Sequence, residues 1–525
     1  MKHLQFEKQA LVMLILLVFI GCKKNTEIKS ISEEDLYRPN FHFTPKSNWM
    51  NDPNGMFYYN GYYHLYFQYH PESNVWGPMH WGHAISTDMI TWTEQPIAIY
   101  PDEHGTIFSG SAVVDISNSS GLGEVEKSIP IVAMYTNHKD FGNGKVKQIQ
   151  SIAYSNDEGE TFAKYENNPV IDNTKIKDFR DPKVTWDEER NKWVMVLAAG
   201  DKIMFYESKD LKDWNLLSEF GKEVGAHGGV WECPDLFKLP IVGTEESKWV
   251  LLVSINPDGP NGGSATQYFV GDFDGKTFTM DKEFEDSLNK EHNYWLDFGR
   301  DNYAGVTWSN ARTKDGGKLM LGWMSNWDYA QEVPTEAWRS SMTVARKIQL
   351  QKNEKGYRLL SNPVQELSKY RGKKFKNENI AIKEETKIIG SEAIDLASSE
   401  IKFNISKLEE TVYTFKLSNK AGDKLLFGYD NLTKTFFINR KNSGNVKFSQ
   451  KFANKVSVAP RTSINKNLTG TILLDKTSIE LFYDNGETVM TEIFFPNMPF
   501  DKLSIQSKNN EFILDNIEIN NLNIN

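Results

Sequence analysis

Cysteine, basic charge and long apolar runs are all scarce in this chain of 525 residues. The two cysteines stand at positions 22 and 233, which leaves little scope for a disulfide framework. A formal net charge of -10 provides no basic patch of the kind that nucleic-acid binding requires, so we expect no nucleic-acid partner. Residues 10–20 form an apolar run of eleven, which is too short to span a bilayer as a helix.

The apolar run has the place and length of a signal-peptide core, because it follows Lys2 and Lys8 and precedes Gly21 and Cys22. A small residue and then cysteine after such a core resembles a bacterial lipoprotein signal. That resemblance implies that residues 1–22 are the signal and that Cys22 is lipidated, so that a lipid anchor is the only membrane attachment. An ordinary secretory signal cleaved nearby is the alternative. Both interpretations predict export.

Either signal leaves Cys233 as a lone cysteine in the mature chain, so we expect no intrachain disulfide. Residues 23–36 are polar and unpatterned, which predicts a flexible tether. The sequence gives no indication of the oligomeric state.

The region 37–350 is dense in short strand-like runs and shows no long segment of period 3.6. Turn-forming segments around Asp88, Asp157, Asp210 and Asp274 are each followed by an aromatic residue, at spacings of 69, 53 and 64. A period of roughly 50 to 70 residues with about four strands per unit is typical of a β-propeller. Five such units fit the region, so we predict a five-bladed β-propeller.

The composition and the hydrophobic pattern of the sequence change after residue 350. Residues 365–395 are rich in lysine and glutamate, and strands with period-2 alternation follow. The segment Asp484-Asn485-Gly486 is a strong hairpin turn between two of these strands. We therefore predict an all-β chain in which a β-sandwich, residues 365–525, follows the propeller.

Three acidic residues, Asp52, Asp181 and Glu232, each lie beside or near a proline in a segment that contains aromatic residues. Hydrolysis of a glycosidic bond calls for a carboxylate and a carboxylic acid in one small site, and a third carboxylate can bind sugar hydroxyls. Proline disfavours the helical region for the preceding residue, so we expect Asp52 and Asp181 in extended backbone at strand starts or edges. Because the inner strands of a propeller converge on its axis, residues separated by 129 and 51 positions can meet there.

Each of these segments also has a purely structural interpretation. Asp52 could belong to an ordinary turn, Arg180 and Asp181 could form a surface ion pair, and Glu232 could be a buried carboxylate paired with a cation. The catalytic interpretation has Arg180 keeping Asp181 ionised and an apolar shell favouring the protonated form of Glu232. We interpret Cys233 as a small packing residue.

Several further residues are candidate contacts for a sugar. We predict that the pocket walls and hydroxyl contacts come from Asn51, Gln68, Trp76, Phe108, Ser109, Arg180, Tyr303 and Trp323. The histidines between positions 64 and 104 lack the carboxylates and spacing of a metal site, so we predict neither a metal nor a cofactor.

Taken together, these motifs resemble glycoside hydrolase family 32, which contains fructan hydrolases and invertases. The resemblance runs from Phe41 to about Arg346 and, more weakly, through the C-terminal region. The motifs that carry it are WMNDPNG (49–55), GPMHWGHAIS (77–86), GTIFSGSAVV (105–114), FRDPKV (179–184), GGVWECPDLF (228–237), GRDNYA (299–304), GWMSNW (322–327), WRSSMTVAR (338–346) and SIELFYDNGETVMTEIFFP (478–496). Asn302 departs from the pattern, since an aromatic residue is expected there.

The resemblance implies a five-bladed propeller plus a sandwich and a retaining double displacement. It assigns Asp52 as the nucleophile, Glu232 as the acid and base, and Asp181, helped by Arg180, as the stabiliser of the transition state. Bacterial levanases and exo-inulinases look most similar, which implies an exo-acting β-fructosidase for levan, inulin or sucrose. Endo action, an arabinan hydrolase on a similar propeller and an inactive fructan-binding lipoprotein are the alternatives.

Overall fold

The computed structural model describes residues 32–124, 129–173, 175–311, 313–390, 394–508 and 510–524. The predicted signal, its Cys22 and the first part of the predicted tether lie outside this range. Residues Glu33–Tyr37, at the end of the predicted tether, form a short helix, α1, which the side chain of Ser32 caps. No helix within the described ranges is long and apolar enough to cross a membrane.

Five antiparallel sheets, which we call blades 1 to 5, make up the region up to residue 363. Blade 1 contains β1 (Asn48–Tyr59), β2 (Tyr62–His70), β3 (His80–Ser86) and β4 (Thr93–Ile99). Blade 2 contains β5 (Thr106–Val114), β6 (Ile131–Asp140), β7 (Val146–Ser155) and β8 (Ala163–Lys164). Blade 3 contains β9 (Phe179–Asp187), β10 (Lys192–Ala199), β11 (Ile203–Ser208) and β12 (Asn215–Phe220).

The last two blades complete the ring. Blade 4 contains β13 (Val230–Pro240), β14 (Ser247–Asn256), β15 (Ala265–Phe273) and β16 (Phe278–Met280), followed by the helix α2 (Lys282–Lys290). Blade 5 contains β17 (Tyr303–Thr307), β18 (Lys318–Met324), β20 (Ser341–Met342), β21 (Arg346–Asn353) and β22 (Gly356–Pro363). The short strand β19 (Trp338–Arg339) pairs in parallel with β1 and so links the end of the ring to its beginning.

The innermost strands of the five blades surround one axis. Strand β1 contacts β5, β5 contacts β9, β9 contacts β13, β13 contacts β17, and β17 contacts β1 again. These strands are largely buried, and their neighbours in each sheet are rich in Val, Ile, Leu and aromatic residues that fill the space between blades. The five-bladed propeller predicted from the sequence is confirmed.

The repeated aspartates mark one turn in each of the first four blades, between the third and fourth strands. The carboxylate of Asp88 accepts from the backbone N–H groups of residues 90 and 91, and Asp210 and Asp274 bind the backbone in the same way. In blade 5 the side chain of Asn353 takes this place at the β21–β22 turn.

The fifth blade continues beyond the predicted boundary at residue 350, which falls inside β21. Strands β21 and β22 form a hairpin whose turn contains Gly356 at a φ of 89°. The turn is made of charged residues, and its composition resembles that of the lysine- and glutamate-rich segment that follows.

Two six-stranded sheets form the predicted β-sandwich. One contains β23 (Arg371–Ile382), β34 (Phe512–Leu522), β25 (Ser398–Ile405), β30 (Leu468–Asp475), β31 (Ser478–Tyr483) and β32 (Thr488–Ile493). The other contains β24 (Glu385–Ile389), β33 (Lys502–Ser507), β26 (Val412–Ser418), β27 (Lys424–Asp430), β28 (Thr435–Asn442) and β29 (Ser457–Pro460). Short 3₁₀ helices occupy Gln365–Tyr370 and Asp484–Gly486, the latter at the predicted hairpin turn between β31 and β32.

A buried ionic network joins the propeller to the sandwich. The ring of His42 lies between Asp475 and Glu480, with nitrogen to oxygen distances of 2.8 Å on each side. Arg346 also donates to Glu480, and it reaches Asp297 at 2.9 Å. Burial lowers the pKa of His42, but the hydrogen bonds and charges of the two carboxylates outweigh it and raise the pKa to about 9.

A second buried arginine completes this interface. Arg440 donates to Asp301 at 2.6 Å and to the hydroxyl of Tyr329 at 2.7 Å, so a sandwich side chain is held by two propeller side chains. Its guanidinium also lies near Glu492. Since all four side chains are buried, the interface fixes the sandwich rigidly against blade 5.

Candidate active site

Each innermost strand has an irregularity in its register at the same end of the propeller. The pairing shifts between Met50 and Pro53 in β1, between Ile107 and Gly110 in β5, and between Glu232 and Asp235 in β13. Strands β9 and β17 show the same feature near their first residues. A bulge of this kind re-aims side chains, so the five irregularities turn polar residues toward the axis.

One cavity of about 330 Å3 lies where these bulges meet. It is lined by Asn51, Asp52, Gln68, Trp76, Phe108, Ser109, His138, Gln148, Asp178, Arg180, Asp181, Val230, Glu232, Asn256 and Trp327. The three acidic residues singled out in the sequence are therefore neighbours in space.

The carboxylate of Asp52 is held by two donors. The amide of Asn51 donates to Oδ1 at 2.9 Å, and the hydroxyl of Ser109 donates to Oδ2 at 2.7 Å. Burial raises the pKa of Asp52, and the hydrogen bond from Asn51 lowers it. The negative charge of Glu232 raises this pKa further, and the hydrogen bond from Ser109 lowers it. The two donors thus favour the ionised form, as a nucleophile requires.

Asp181 is the most deeply enclosed of the three carboxylates. Its Oδ2 accepts from the backbone N–H of Cys233 at 3.0 Å. The Cys233 sulfur lies 3.6 Å from this oxygen and 3.6 Å from Oδ2 of Asp52, so it separates the two carboxylates. Burial raises the pKa of Asp181 to about 7, with Arg180 opposing the shift and the charges of Glu232 and Asp52 contributing to it.

Glu232 is bound on both of its oxygens. The guanidinium of Arg180 donates to Oε1 from two nitrogens, at 3.0 and 2.9 Å, and the hydroxyl of Tyr303 donates to Oε2. The environment of this carboxylate is therefore polar, which differs from the apolar shell expected from its sequence neighbours Trp231 and Pro234. The aromatic ring of Trp231 instead packs into the core of blade 4.

Arg180 also differs from its expected pairing. Its hydrogen bonds go to Glu232, to Asp178 at 2.7 Å and to Gln148 at 3.4 Å, whereas it acts on Asp181 through its charge. The side chain is nearly buried, and the flanking carboxylates raise its already high pKa against the effect of burial. One cation thus holds the wall of the cavity between blades 3 and 4.

The expected extended backbone at Asp181 is wrong. Its φ is 65°, in the left-handed region, and Cys233, which also precedes a proline, has a φ of 45°. The backbone N–H of Asp181 is held by the hydroxyl of Thr136 at 3.1 Å, which helps to fix this conformation. A non-glycine residue in this region costs of order 1–3 kcal/mol, and such strain is found where side chains must be aimed at a site.

The predicted sugar contacts divide into two groups. Six of them line the cavity: Asn51, Gln68, Trp76, Phe108, Ser109 and Arg180. Tyr303 is buried and reaches the cavity only through its hydrogen bond to Glu232. Trp323 is fully buried and packs against Trp327, with ring centroids 5.0 Å apart, so it supports the wall from behind.

Six lining residues are not among the residues predicted from the sequence: His138, Gln148, Asp178, Val230, Asn256 and Trp327. His138 stacks on Phe108 with centroids 4.3 Å apart, and the amide of Gln148 lies 3.2 Å from its ring nitrogen. Trp327 stands three residues after the end of β18, in a motif that the resemblance had already marked. Local sequence does not distinguish Trp327 from Trp323, because both stand in the same motif and their environments differ only in the folded chain.

Asn302, the departure from the expected motif, is buried away from this cavity. Its amide donates to Asp297 at 3.2 Å, next to the interface network described above. Among the described residues there is no group of three or more side chains of His, Cys, Asp and Glu that could hold a metal ion.

Comparison with known proteins agrees with this geometry. The family model for the glycosyl hydrolases family 32 N-terminal domain matches residues 42–363, and the model for the family 32 C-terminal domain matches residues 366–523. The levanase of Bacillus subtilis is 45% identical over 503 residues, which cover 95% of this chain and 72% of the levanase. The extracellular exo-inulinase of Aspergillus ficuum is 39% identical over 88% of this chain and 90% of its own.

A solved structure shows the same architecture. The crystal structure of exo-inulinase from Aspergillus awamori superposes with a TM-score of 0.85 at 35% identity, covering 94% of this chain and 99% of that one. Both family models together span almost all of the described chain. The chain therefore belongs to glycosyl hydrolase family 32, as a glycoside hydrolase of the β-fructofuranosidase type.

Proposed function

We propose that the protein is an exo-acting, retaining β-fructosidase that removes terminal fructosyl units from levan or inulin and also cleaves sucrose. The observation that supports this most directly is the meeting of three carboxylates in one cavity, each with a different set of partners. Asp52 has two neutral donors, Glu232 has a cation and a phenol, and Asp181 has a backbone N–H. Carboxylates in different environments can take different roles in one reaction.

In the first step, Asp52 attacks C2 of the terminal fructosyl unit and the bond from C2 to the glycosidic oxygen breaks. Glu232 gives its proton to the departing oxygen, so a covalent fructosyl-enzyme ester and a shortened chain result. In the second step, the Glu232 carboxylate takes a proton from water while the water oxygen attacks C2. The ester to Asp52 breaks, and fructose leaves with its configuration retained.

Asp181 and Arg180 hold the fructosyl unit between these two groups. The hydrogen bonds to Asp181 from the backbone N–H and the thiol of Cys233 both reach Oδ2, so lone pairs on Oδ1 are left for sugar hydroxyls. Such contacts stabilise a transition state when they strengthen during the reaction. Arg180 orients Glu232 through two hydrogen bonds and balances the negative charge of the cluster. Asp181 is therefore the proposed stabiliser of the transition state.

The size of the cavity favours exo action. A volume of about 330 Å3 lies at the low end of the range for ligand sites, which suits a terminal unit better than the middle of a polymer. Trp76 and the stacked pair of Phe108 and His138 form one side of this cavity. The next sugar unit would leave along that side.

The product profile from levan, inulin and sucrose, followed over time by chromatography, tests this proposal. Fructose as the first and only product of the polymers is the expected result, and the faster polymer identifies the linkage. Early oligosaccharides would show endo action. An arabinan hydrolase would release products from arabinan alone, and a binding protein would release none from any of these substrates.

We also propose that the enzyme is exported and held at the membrane by a lipid on Cys22. The relative from Aspergillus ficuum is an extracellular enzyme, which supports export, and the apolar run before Cys22 supports the anchor. Detergent phase partitioning tests this: the wild type should enter the detergent phase, and Cys22→Ala should move to the aqueous phase. A wild type found in the aqueous phase would contradict the anchor.

A further inference from the structure

A second cavity lies at the opposite end of the same inner strands. Its volume is about 490 Å3, larger than that of the candidate active site. It is lined by the later residues of β9 and β13 and by the end of β17, whereas the first cavity is lined by the early residues of β9 and β13. Trp186 follows Asp181 by five positions in β9, which corresponds to about 17 Å along a regular strand.

Aromatic rings form much of the wall of this second cavity. Trp193 and Trp308 are almost fully buried, and their indole N–H groups donate to Ser119 and to the carbonyl of His64, so only their rings face the cavity. Trp186 packs edge-on against Trp193 with centroids 4.8 Å apart, yet it is 36% exposed. An indole that is fixed on one side and open on the other is a stacking platform.

A buried ion pair stands beside these rings. Asp235 is 1% exposed, and its Oδ2 accepts from the backbone and the hydroxyl of Thr307, with Lys183 at 3.5 Å. The other oxygen, Oδ1, has no hydrogen-bond partner among the described residues, although Asp235 lines the cavity. Lys183 donates to the carbonyl of Thr307 and faces Asp235, which leaves one of its three N–H donors.

This pair selects a particular ligand chemistry. A ligand hydroxyl can accept from the remaining N–H donor of Lys183, which is 7% exposed, whereas Asp235, at 1%, contributes its charge from behind the lysine. An anion would be repelled by the carboxylate and a cation by the ammonium group. Together with the open indole of Trp186, these groups fit a neutral ligand that presents both hydroxyls and an apolar ring face, which is a description of a sugar.

The site is long enough for more than one sugar unit. On the other side of Trp186 a further cavity of about 340 Å3 continues along β9 and β13 and contains Trp249 and Phe237. The two cavities share six lining residues, among them Trp186 and Phe237, so they adjoin at the indole. An oligosaccharide crossing Trp186 could occupy both.

We propose that this groove is an accessory binding site for a fructan chain, with Trp186 as its stacking platform and the Asp235–Lys183 pair as its hydroxyl anchor. The choice of fructan rests on the proposed function. A polymer held at the far end of the propeller stays at a high effective concentration near the active site, whereas a disaccharide gains nothing from a second site.

The test counts ligand-binding sites in a catalytically inactive variant. Calorimetric titration of Asp52→Ala with a short fructo-oligosaccharide should give two equivalents, and adding Trp186→Ala should leave one. Trp186→Phe, which keeps a ring, should retain both equivalents. Leu216→Ala is the matched control, because Leu216 is an exposed apolar residue of the same blade, on its outermost strand and outside the groove.

One equivalent in Asp52→Ala, or two equivalents that persist after Trp186→Ala, would overturn the accessory site. Equal binding of a malto-oligosaccharide at the second site would overturn its assignment to fructan. In the otherwise unmodified enzyme, Trp186→Ala should raise KM for the polymer several-fold and leave sucrose kinetics unchanged, which also shows that the variant is folded. A wild type that hydrolyses no fructose-containing substrate would instead reject the proposed function, which the binding count does not measure.

Discussion

Removal of the Ser109 hydroxyl should move the acid limb of the pH–rate profile to higher pH. This hydroxyl donates to Asp52 at 2.7 Å in a site where burial already raises the pKa of that carboxyl. A hydrogen bond to a charged group contributes about 1.5–3 kcal/mol, and one pKa unit corresponds to about 1.4 kcal/mol. Ser109→Ala should therefore destabilise the ionised carboxylate by about 1.5–3 kcal/mol and raise the pKa of Asp52 further.

The assay is kcat/KM on sucrose across a pH series, since its acid limb reports the ionisation of the free enzyme. The sign follows from the proposed role of Asp52 as an ionised nucleophile: a higher pKa means that activity is lost earlier as the pH falls. The loss of activity should therefore grow as the pH falls. The effect of the substitution is thus concentrated on the acid side.

Ser155→Ala is the matched control for this experiment. Ser155 lies in the same blade and donates to a carboxylate, that of Asp157, at the same distance of 2.7 Å, but in a turn outside the cavity. Its removal should lower stability and leave the profile in place. An acid limb that stays unmoved in Ser109→Ala, with a uniformly lower plateau, would refute the reasoning and leave Ser109 as a contact to substrate only.

Three further outcomes are expected. Glu232→Ala should lower kcat by about 10²–10⁴-fold on sucrose, and Asp52→Ala by at least as much, with unchanged circular dichroism; near-normal turnover in either would reject its role. The pKa of His42 is raised to about 9 in the folded state, so protonation of this residue stabilises the fold fully below the unfolded pKa of about 6.5. This stabilisation is lost as the pH rises to 9. The free energy of unfolding should therefore fall between these two pH values in the wild type and not in His42→Gln. Arg440→Met leaves buried carboxylates unpaired and should cost about 3–5 kcal/mol in denaturant unfolding. Lys282→Met, at an exposed ion pair, is the control and should leave the unfolding midpoint almost unchanged.

The propeller could be predicted because its repeat unit leaves a local chemical signature. The turn between the third and fourth strands of a blade needs a side chain that accepts from backbone N–H groups. Aspartate supplies it at spacings of 69, 53 and 64 residues, at positions 88, 157, 210 and 274. The sandwich was predictable from alternation and from one hairpin turn. The end of blade 5 was not, since the β21–β22 hairpin has the composition of a linker.

The site was predictable in its carboxylates and less so in their partners. Asp52, Asp181 and Glu232 stand in segments with distinctive local composition, whereas His138 and Gln148 reach the cavity from second and third strands of blade 2, where nothing local marks them. Arg180 pairs with Glu232 of the neighbouring blade. From the sequence, its adjacent residue Asp181 was the expected partner. Contacts of this kind depend on the closure of the ring.

The left-handed backbone at Asp181 explains why a local rule failed where the chemistry is concentrated. The rule for a residue before proline describes an unconstrained chain, but here Thr136 holds the N–H of Asp181 and Cys233 holds its carboxylate, both from neighbouring strands. With φ at 65°, the side chain leaves the regular alternation of β9 and turns to the axis. In a regular strand, Asp181 would not reach the cavity that contains Asp52 and Glu232. The bulge and the strained backbone together bring its side chain there.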